Sequence, residues 1–239
     1  MNNRLEISYP CGKTNHIMVF DNILDAATCA DLIGESKLFY RKLFRQGPTL
    51  GGVNDLIKNS MDFEYGRHVC NIENVPYSKF ELFEKKVIDS LYCAINHYIE
   101  QYPQLWDCPG INDTGLRLQH YRRNFGFYRT HQDGGAWHDG LVSRRILGVI
   151  IYLNDVEIGG ETLFPEHDIK VQAKTGRIVV FPAHWTHPHG GAIPLSDDKW
   201  IISTFIMFTK NININNDVES ISIEASSKTP KTVLKGKSK

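Results

Sequence analysis

His131 and Asp133 stand two residues apart in "GFYRTHQD", a run whose residue types favour a strand. On a strand, residues i and i+2 face the same side, so an imidazole and a carboxylate project together. Further along, "FPAHWTHPHGGAIPLSDDKW" offers His184, His187 and His189 after an apolar run ending in Phe181 and Pro182. One histidine from this segment completes a set of two histidines and one carboxylate on one face of an octahedral metal, with three positions left open. Open positions are what oxygen activation at ferrous iron needs: two for a chelating keto acid, one for dioxygen. A structural zinc site would instead close four positions with protein ligands, and a zinc cluster of the three later histidines would leave His131 and Asp133 without a role.

A chelating dicarboxylate also needs a cation for its far end. Lys199 follows His189 by ten residues, at the start of the last apolar run. Tyr121 precedes His131 by ten residues and can bring a phenolic hydroxyl from a neighbouring strand to the same carboxylate.

These residues need a scaffold of short strands. From Gly115 onward "LRLQHYRR", "GFYRTHQD", "RRILGVIIYLND", "ETLFP", "IKVQA", "GRIVVFP" and "KWIISTFIMF" follow one another, separated by Gly, Asn, Asp and Pro. Strands in series without intervening helices predict a mainly β jelly roll over about 115–210. The continuous apolar stretch 146–153 predicts a strand buried on both faces. Upstream, a short strand ends near Phe20 and a helix carries Ala27, Cys29, Leu32 and Ile33. After Pro76 the residues Phe80, Phe83, Val87, Leu91, Ile95 and Tyr98 recur at helical spacing. The expectation is helical support over about 21–104 and a single domain over 1–210. The remainder, 211–239, has few large apolar groups and five lysines in its last twelve residues, which predicts a disordered basic tail.

Lys plus Arg and Asp plus Glu both number 27, so no basic excess favours a nucleic-acid partner. No apolar run is long enough to cross a bilayer. Five scattered cysteines without a CxxC pair or a secretory segment predict a reducing, intracellular setting. Asn-rich runs such as "NININN" suggest an AT-rich coding sequence of a virus or a low-GC microbe.

Several blocks, in order over residues 18–208, resemble the prolyl 4-hydroxylase-like branch of the Fe(II)/2-oxoglutarate dioxygenases. "VFDNILDAATCADLI" is similar to that family's first strand and helix. "YRRNFGFYRTHQD" is similar to its Tyr, Tyr, H-x-D block, "RRILGVIIYLNDVEIGGETLFP" to its buried strand with YLND and GGET-FP. "GRIVVFP" followed by "HGGAIPLSDDKW" is similar to its distal histidine and the lysine ten residues on. The resemblance implies a double-stranded β-helix of the cupin-like type and Fe(II), 2-oxoglutarate and O2, with ascorbate as reductant. His131, Asp133 and His189 would be the metal ligands, and Tyr121 and Lys199 would bind the co-substrate. Tyr128 and Arg145 would face the substrate, and the loop "GGAWHDGLV" after Asp133 itself offers Trp137 and His138 as an aromatic wall for it, with a plain exposed loop as the alternative. The Pro188-His189 pair and the spacing to Lys199 favour His189; His187 is the alternative, matching relatives with a shorter turn. Phe205 stands where the family usually has Trp.

The activity so implied is hydroxylation of peptidyl proline with release of succinate and CO2. The same chemistry on a free amino acid, another protein side chain or a small molecule is the alternative, and a non-catalytic cupin-like binder a second. A nucleic-acid demethylase lacks its basic surface here. The sequence leaves the oligomeric state open.

Overall fold

The computed structural model describes residues 4–107, 110–135, 140 and 142–209. The expected tail at 211–239 and the expected aromatic wall at Trp137 lie outside the described residues. In chain order the strands are β1 (Glu6–Ser8), β2 (Met18–Asp21), β3 (Arg45–Gln46), β4 (Pro48–Thr49), β5 (Gly52–Val53), β6 (Lys58–Asn59), β7 (Met61–Tyr65) and β8 (Ile111–Asp113). They continue with β9 (Leu116–Tyr121), β10 (Phe127–His131), β11 (Arg145–Tyr152), β12 (Thr162–Phe164), β13 (Ile169–Val171), β14 (Ile178–Pro182), β15 (His189–Gly191) and β16 (Lys199–Phe208). The helices are α1 (Ala26–Leu38), α2 (Tyr40–Leu43), α3 (Arg67–Ile72) and α4 (Ser78–Gln101).

Two antiparallel sheets face each other. The larger runs β1-β2-β14-β11-β16-β9-β7-β3, with β8 also on β16; the smaller runs β13-β12-β15-β10-β6. This is the expected jelly roll. Along β11 the apolar run alternates: Leu147, Val149 and Ile151 join the core shared with the helices, whereas Ile150 and Tyr152 join the barrel's own core. Burial on both faces explains why this strand reads as an unbroken apolar run rather than as an alternating one.

Helices α1 and α4 cover the outer face of the larger sheet. α1 starts at Asp25, whose carboxylate accepts from the Thr28 backbone N–H at 2.8 Å, an N-cap that satisfies one of the free amides of the first turn. α4 buries Phe80, Val87, Leu91, Ile95 and Tyr98 along one stripe, each such side chain contributing about 1.5–3 kcal/mol relative to exposure.

The expectation of helical support over 21–104 is corrected between residues 45 and 65, which form β3 to β7. In "MDFEY" the alternation is present but inverted. Phe63 and Tyr65 pack outward against the helical core, while Asp62 and Glu64 lie opposite Gln119 and Arg117 on the inner face. A barrel interior that is a polar cavity does not announce itself as a hydrophobic face.

Candidate metal centre and co-substrate pocket

The pairing registers stack the inner residues of the larger sheet in rows. Lys199 pairs with Tyr121; next come Tyr152, Ile201, Gln119 and Asp62, then Ile150, Ser203, Arg117 and Glu64. Last are Phe181, Gly148 and Phe205. Opposite, the smaller sheet contributes Lys58, Tyr128 and Gly191 in one row and the His131–His189 pair in another. Between the sheets lies a cavity of about 640 Å³, lined by His131, Asp133, His189, Tyr121, Tyr128, Arg145 and Lys199 among others.

His131 Nε2 lies 3.2 Å from Asp133 Oδ1, and His189 Nε2 lies 3.3 Å from Asp133 Oδ2. The three donor atoms fall within 4.8 Å of one another. Each histidine is oriented from behind: His131 Nδ1 lies 2.8 Å from the Arg129 carbonyl, and His189 Nδ1 lies 3.2 Å from the His187 carbonyl. A carbonyl only accepts, so with a cation held between the Nε2 atoms and Asp133 both rings would carry their proton at Nδ1 and offer the Nε2 lone pair to it. Asp133 is fixed by its own backbone and its neighbour's: the N–H groups of Asp133 and Gly134 donate to the Ala183 carbonyl at 3.1 and 2.7 Å.

Electrostatics set the same state. Burial pushes His189 down to about 4, against the opposing pull of Asp133. Burial alone would raise the Asp133 carboxyl, but His189, His131 and Arg145 outweigh it and hold it below the usual carboxylate range. At neutral pH the cluster therefore presents a carboxylate with His189 neutral. Its two imidazoles and one carboxylate are a donor set that would suit a first-row divalent cation such as Fe(II).

Gly148 permits this approach. A Cβ there would come within 2.6 Å of the Phe181 ring and 3.1 Å of Asp133 Oδ2.

Lys199 is buried at 3 % exposure, its Nζ 5.6 and 5.5 Å from the ring centroids of Tyr121 and Tyr152. Burial pulls its pKa down to about 8, with Glu161 opposing. Among the described residues no carboxylate comes within ion-pair distance of it. The Tyr121 hydroxyl donates to Gln119 Oε1 at 3.0 Å.

Tyr128 stacks on His131 with ring centroids 3.6 Å apart. Arg145 donates from Nη1 to the Asp133 carbonyl at 3.0 Å, and its guanidinium lies 3.8 Å from the Phe205 ring centroid. Phe205 thus faces the cavity. His187, the alternative distal ligand, has both ring nitrogens engaged elsewhere, Nδ1 with Thr186 Oγ1 at 2.9 Å and Nε2 with the Asn15 carbonyl at 2.6 Å. His184 sits beside Gly134.

Sequence reasoning missed Lys58, Asp62 and Gln119, which form a buried polar chain along one wall. Lys58 donates to Asp62 Oδ2 at 2.6 Å, and Gln119 Nε2 to the same oxygen at 3.2 Å. Gln119 stood within a recognised strand, two residues before Tyr121 and on its face; that period was the available signal.

Fold and cavity together define a jelly-roll protein in which two histidines and a carboxylate, a set that could hold a divalent metal, share one cavity with a buried cation. Residues 116–207 match the family model of the 2OG-Fe(II) oxygenase superfamily. Among solved structures it is similar to the viral collagen prolyl hydroxylase of Paramecium Bursaria Chlorella virus-1 in its 2OG complex. That pair is 19% identical with a TM-score of 0.57, over 85% of this chain and 100% of the other. A prolyl hydroxylase of Trichoplax adhaerens, in complex with a hypoxia inducible factor oxygen degradation domain peptide fragment, is 17% identical. It gives a TM-score of 0.59 over 82% of this chain and 84% of the other. A Pseudomonas putida prolyl-4-hydroxylase is 17% identical with a TM-score of 0.56, over 81% and 94%. No curated protein matches in sequence. At these identities the likeness is one of fold. The superfamily implies Fe(II), 2-oxoglutarate and O2. Among the described residues no helix is long and apolar enough to cross a membrane.

Proposed function

We propose that the chain is a 2-oxoglutarate- and O2-dependent hydroxylase of peptidyl proline, with His131, Asp133 and His189 as iron ligands and Lys199 and Tyr121 as the co-substrate anchor. The observation that carries this is the pairing, in one cavity, of a three-donor set whose Asp133 and His189 are buried with a buried lysine that has no carboxylate within ion-pair distance among the described residues. Bound Fe(II) would supply oxygen activation coupled to oxidative decarboxylation of 2-oxoglutarate, a chemistry that belongs to the metal and co-substrate.

The chain's own residues supply geometry. The carbonyls of Arg129 and His187 hold the two Nε2 lone pairs convergent, and the Ala183 carbonyl holds the Asp133 turn. Lys199, deep between Tyr121 and Tyr152, grips the far carboxylate and so fixes which end of the keto acid reaches the metal. Tyr128 and Phe181 wall the centre from water. Arg145 sits between Asp133 and Phe205 at the substrate side of the cavity. A peptide substrate agrees with the Trichoplax adhaerens neighbour, which holds a peptide fragment. Ascorbate would serve to return iron to the ferrous state.

The test is succinate formation under air with added Fe(II), then mass spectrometry of proline-rich peptides and of free amino acids for the gain of one oxygen atom. His131→Ala should abolish both signals. Oxygen gain on free amino acids alone would replace the prolyl substrate and keep the chemistry; no succinate in any mixture would remove the chemistry itself.

A further inference from the structure

The Tyr121 hydroxyl already has an acceptor within the chain. It donates to Gln119 Oε1 at 3.0 Å, and Gln119 Nε2 donates to Asp62 Oδ2 at 3.2 Å. Asp62 is held in turn by Lys58 Nζ at 2.6 Å and by Ser60 Oγ, on its other oxygen, at 2.7 Å. Lys58, Ser60, Asp62, Gln119 and Tyr121 are all buried. The pairing register builds this chain of contacts: Asp62 lies opposite Gln119, and Tyr121 follows two residues on along the same strand face. The corner is tightly packed, since a Cβ on Gly47 would fall 2.6 Å from Asp62 Oδ1.

A carboxylate only accepts, so Asp62 obliges the Gln119 amide to turn its NH2 inward and its oxygen toward Tyr121. A phenol has one proton. It cannot donate to Gln119 and to a co-substrate carboxylate at once.

We propose that Gln119 is a positioning residue that sets co-substrate affinity by competing for the Tyr121 hydroxyl. The inference rests on Tyr121 being a co-substrate ligand. When 2-oxoglutarate takes the phenolic proton, Gln119 Oε1 loses its donor in a buried place, an unmade bond that opposes binding. The Lys58–Asp62 pair makes that opposition hard to escape, because it keeps the amide from turning an N–H toward the phenolic oxygen. Affinity is held below what the metal and Lys199 would give unaided.

The experiment is anaerobic calorimetric titration of the Fe(II)-loaded chain with 2-oxoglutarate. Gln119→Met, close in volume and without the amide oxygen, should lower Kd by roughly two- to tenfold, the worth of one neutral hydrogen bond. Asp62 keeps Lys58 and Ser60 in this variant. In a Tyr121→Phe background the same substitution should leave Kd unchanged, because there is no proton to compete for. A merely structural Gln119 would move Kd upward, and in both backgrounds. A Kd for Gln119→Met equal to or above wild type overturns the inference, as does an equal gain in the Tyr121→Phe background. Gln119→Leu serves as the second variant should the methionine disturb folding. Wild-type chain that takes up Fe(II) but does not bind 2-oxoglutarate overturns the co-substrate pocket itself, a distinguishable result.

Discussion

Two lysines are buried against the same cavity, Lys58 at 2 % and Lys199 at 3 % exposure, and their surroundings differ in kind. Lys58 meets Asp62 at 2.6 Å, and that carboxylate is further held by Ser60 and Gln119. Burial pushes the Lys58 pKa down while Asp62 opposes the shift. Around Lys199 the near neighbours are two tyrosine rings, and burial draws its pKa down to about 8 with only Glu161 opposing. An unpaired buried charge costs several kcal/mol even after relaxation. A chain that completes one ammonium and leaves the other incomplete uses the first as architecture at the corner between β6 and β7. Under the proposed function, the second is kept for the co-substrate's carboxylate.

If that contrast is right, removing each cation must fail in a different way. Lys58→Met leaves the Asp62 carboxylate buried without a counter-charge, and the expected loss is about 3–5 kcal/mol of folding stability in urea unfolding. A loss below about 1 kcal/mol, the range of an exposed pair, would erase the contrast. Lys199→Met leaves no carboxylate uncompensated, so stability should hold or rise. Its defect should appear in 2-oxoglutarate binding, weakened roughly 10- to 100-fold, as expected for a hydrogen bond to a charged group. A Lys199→Met chain that unfolds readily but binds the keto acid normally would exchange the two roles.

The same pair shows what a sequence can and cannot disclose. Lys199 was legible because it stands at a fixed spacing from His189 on a strand whose apolar pattern is plain, and because Tyr121 lies at a matching distance before His131. The strands β9 to β14 and β16 were legible for the same reason, since β-branched runs between Gly, Asn, Asp and Pro fix both period and ends. Lys58 and Asp62 were not legible. They lie on β6 and β7, where the inward residues are polar and the outward ones apolar, so periodicity points to neither a core-facing strand nor a site. Four residues apart, they resemble a helical ion pair, yet they meet only because the chain turns from one sheet to the other between them. Gln119 lay on a recognised strand, but its role depends on Asp62, a partner from the unread segment. The donor orientation of His131 and His189 was also beyond reach, for it is set by backbone carbonyls, which every residue carries.

The smallest expected effect separates the two lysines by titration. Folding lowers the Lys199 pKa from its ordinary 10.5 to about 8, so between pH 8 and 10.5 the unfolded chain binds more protons than the folded one. By linkage, the Lys199 contribution to stability must rise with pH across that window. Binding runs the other way. A dicarboxylate beside the ammonium raises its pKa, so above pH 8 each binding event takes up a proton, and the 2-oxoglutarate Kd should climb by up to about tenfold per pH unit. Calorimetry in buffers of different ionisation heat would reveal the proton uptake directly. In Lys199→Arg, whose guanidinium stays charged throughout, the climb from pH 8 to 9 should flatten. A slope that survives this substitution would mean that another group carries the titration and that Lys199, like Lys58, is already completed by the fold.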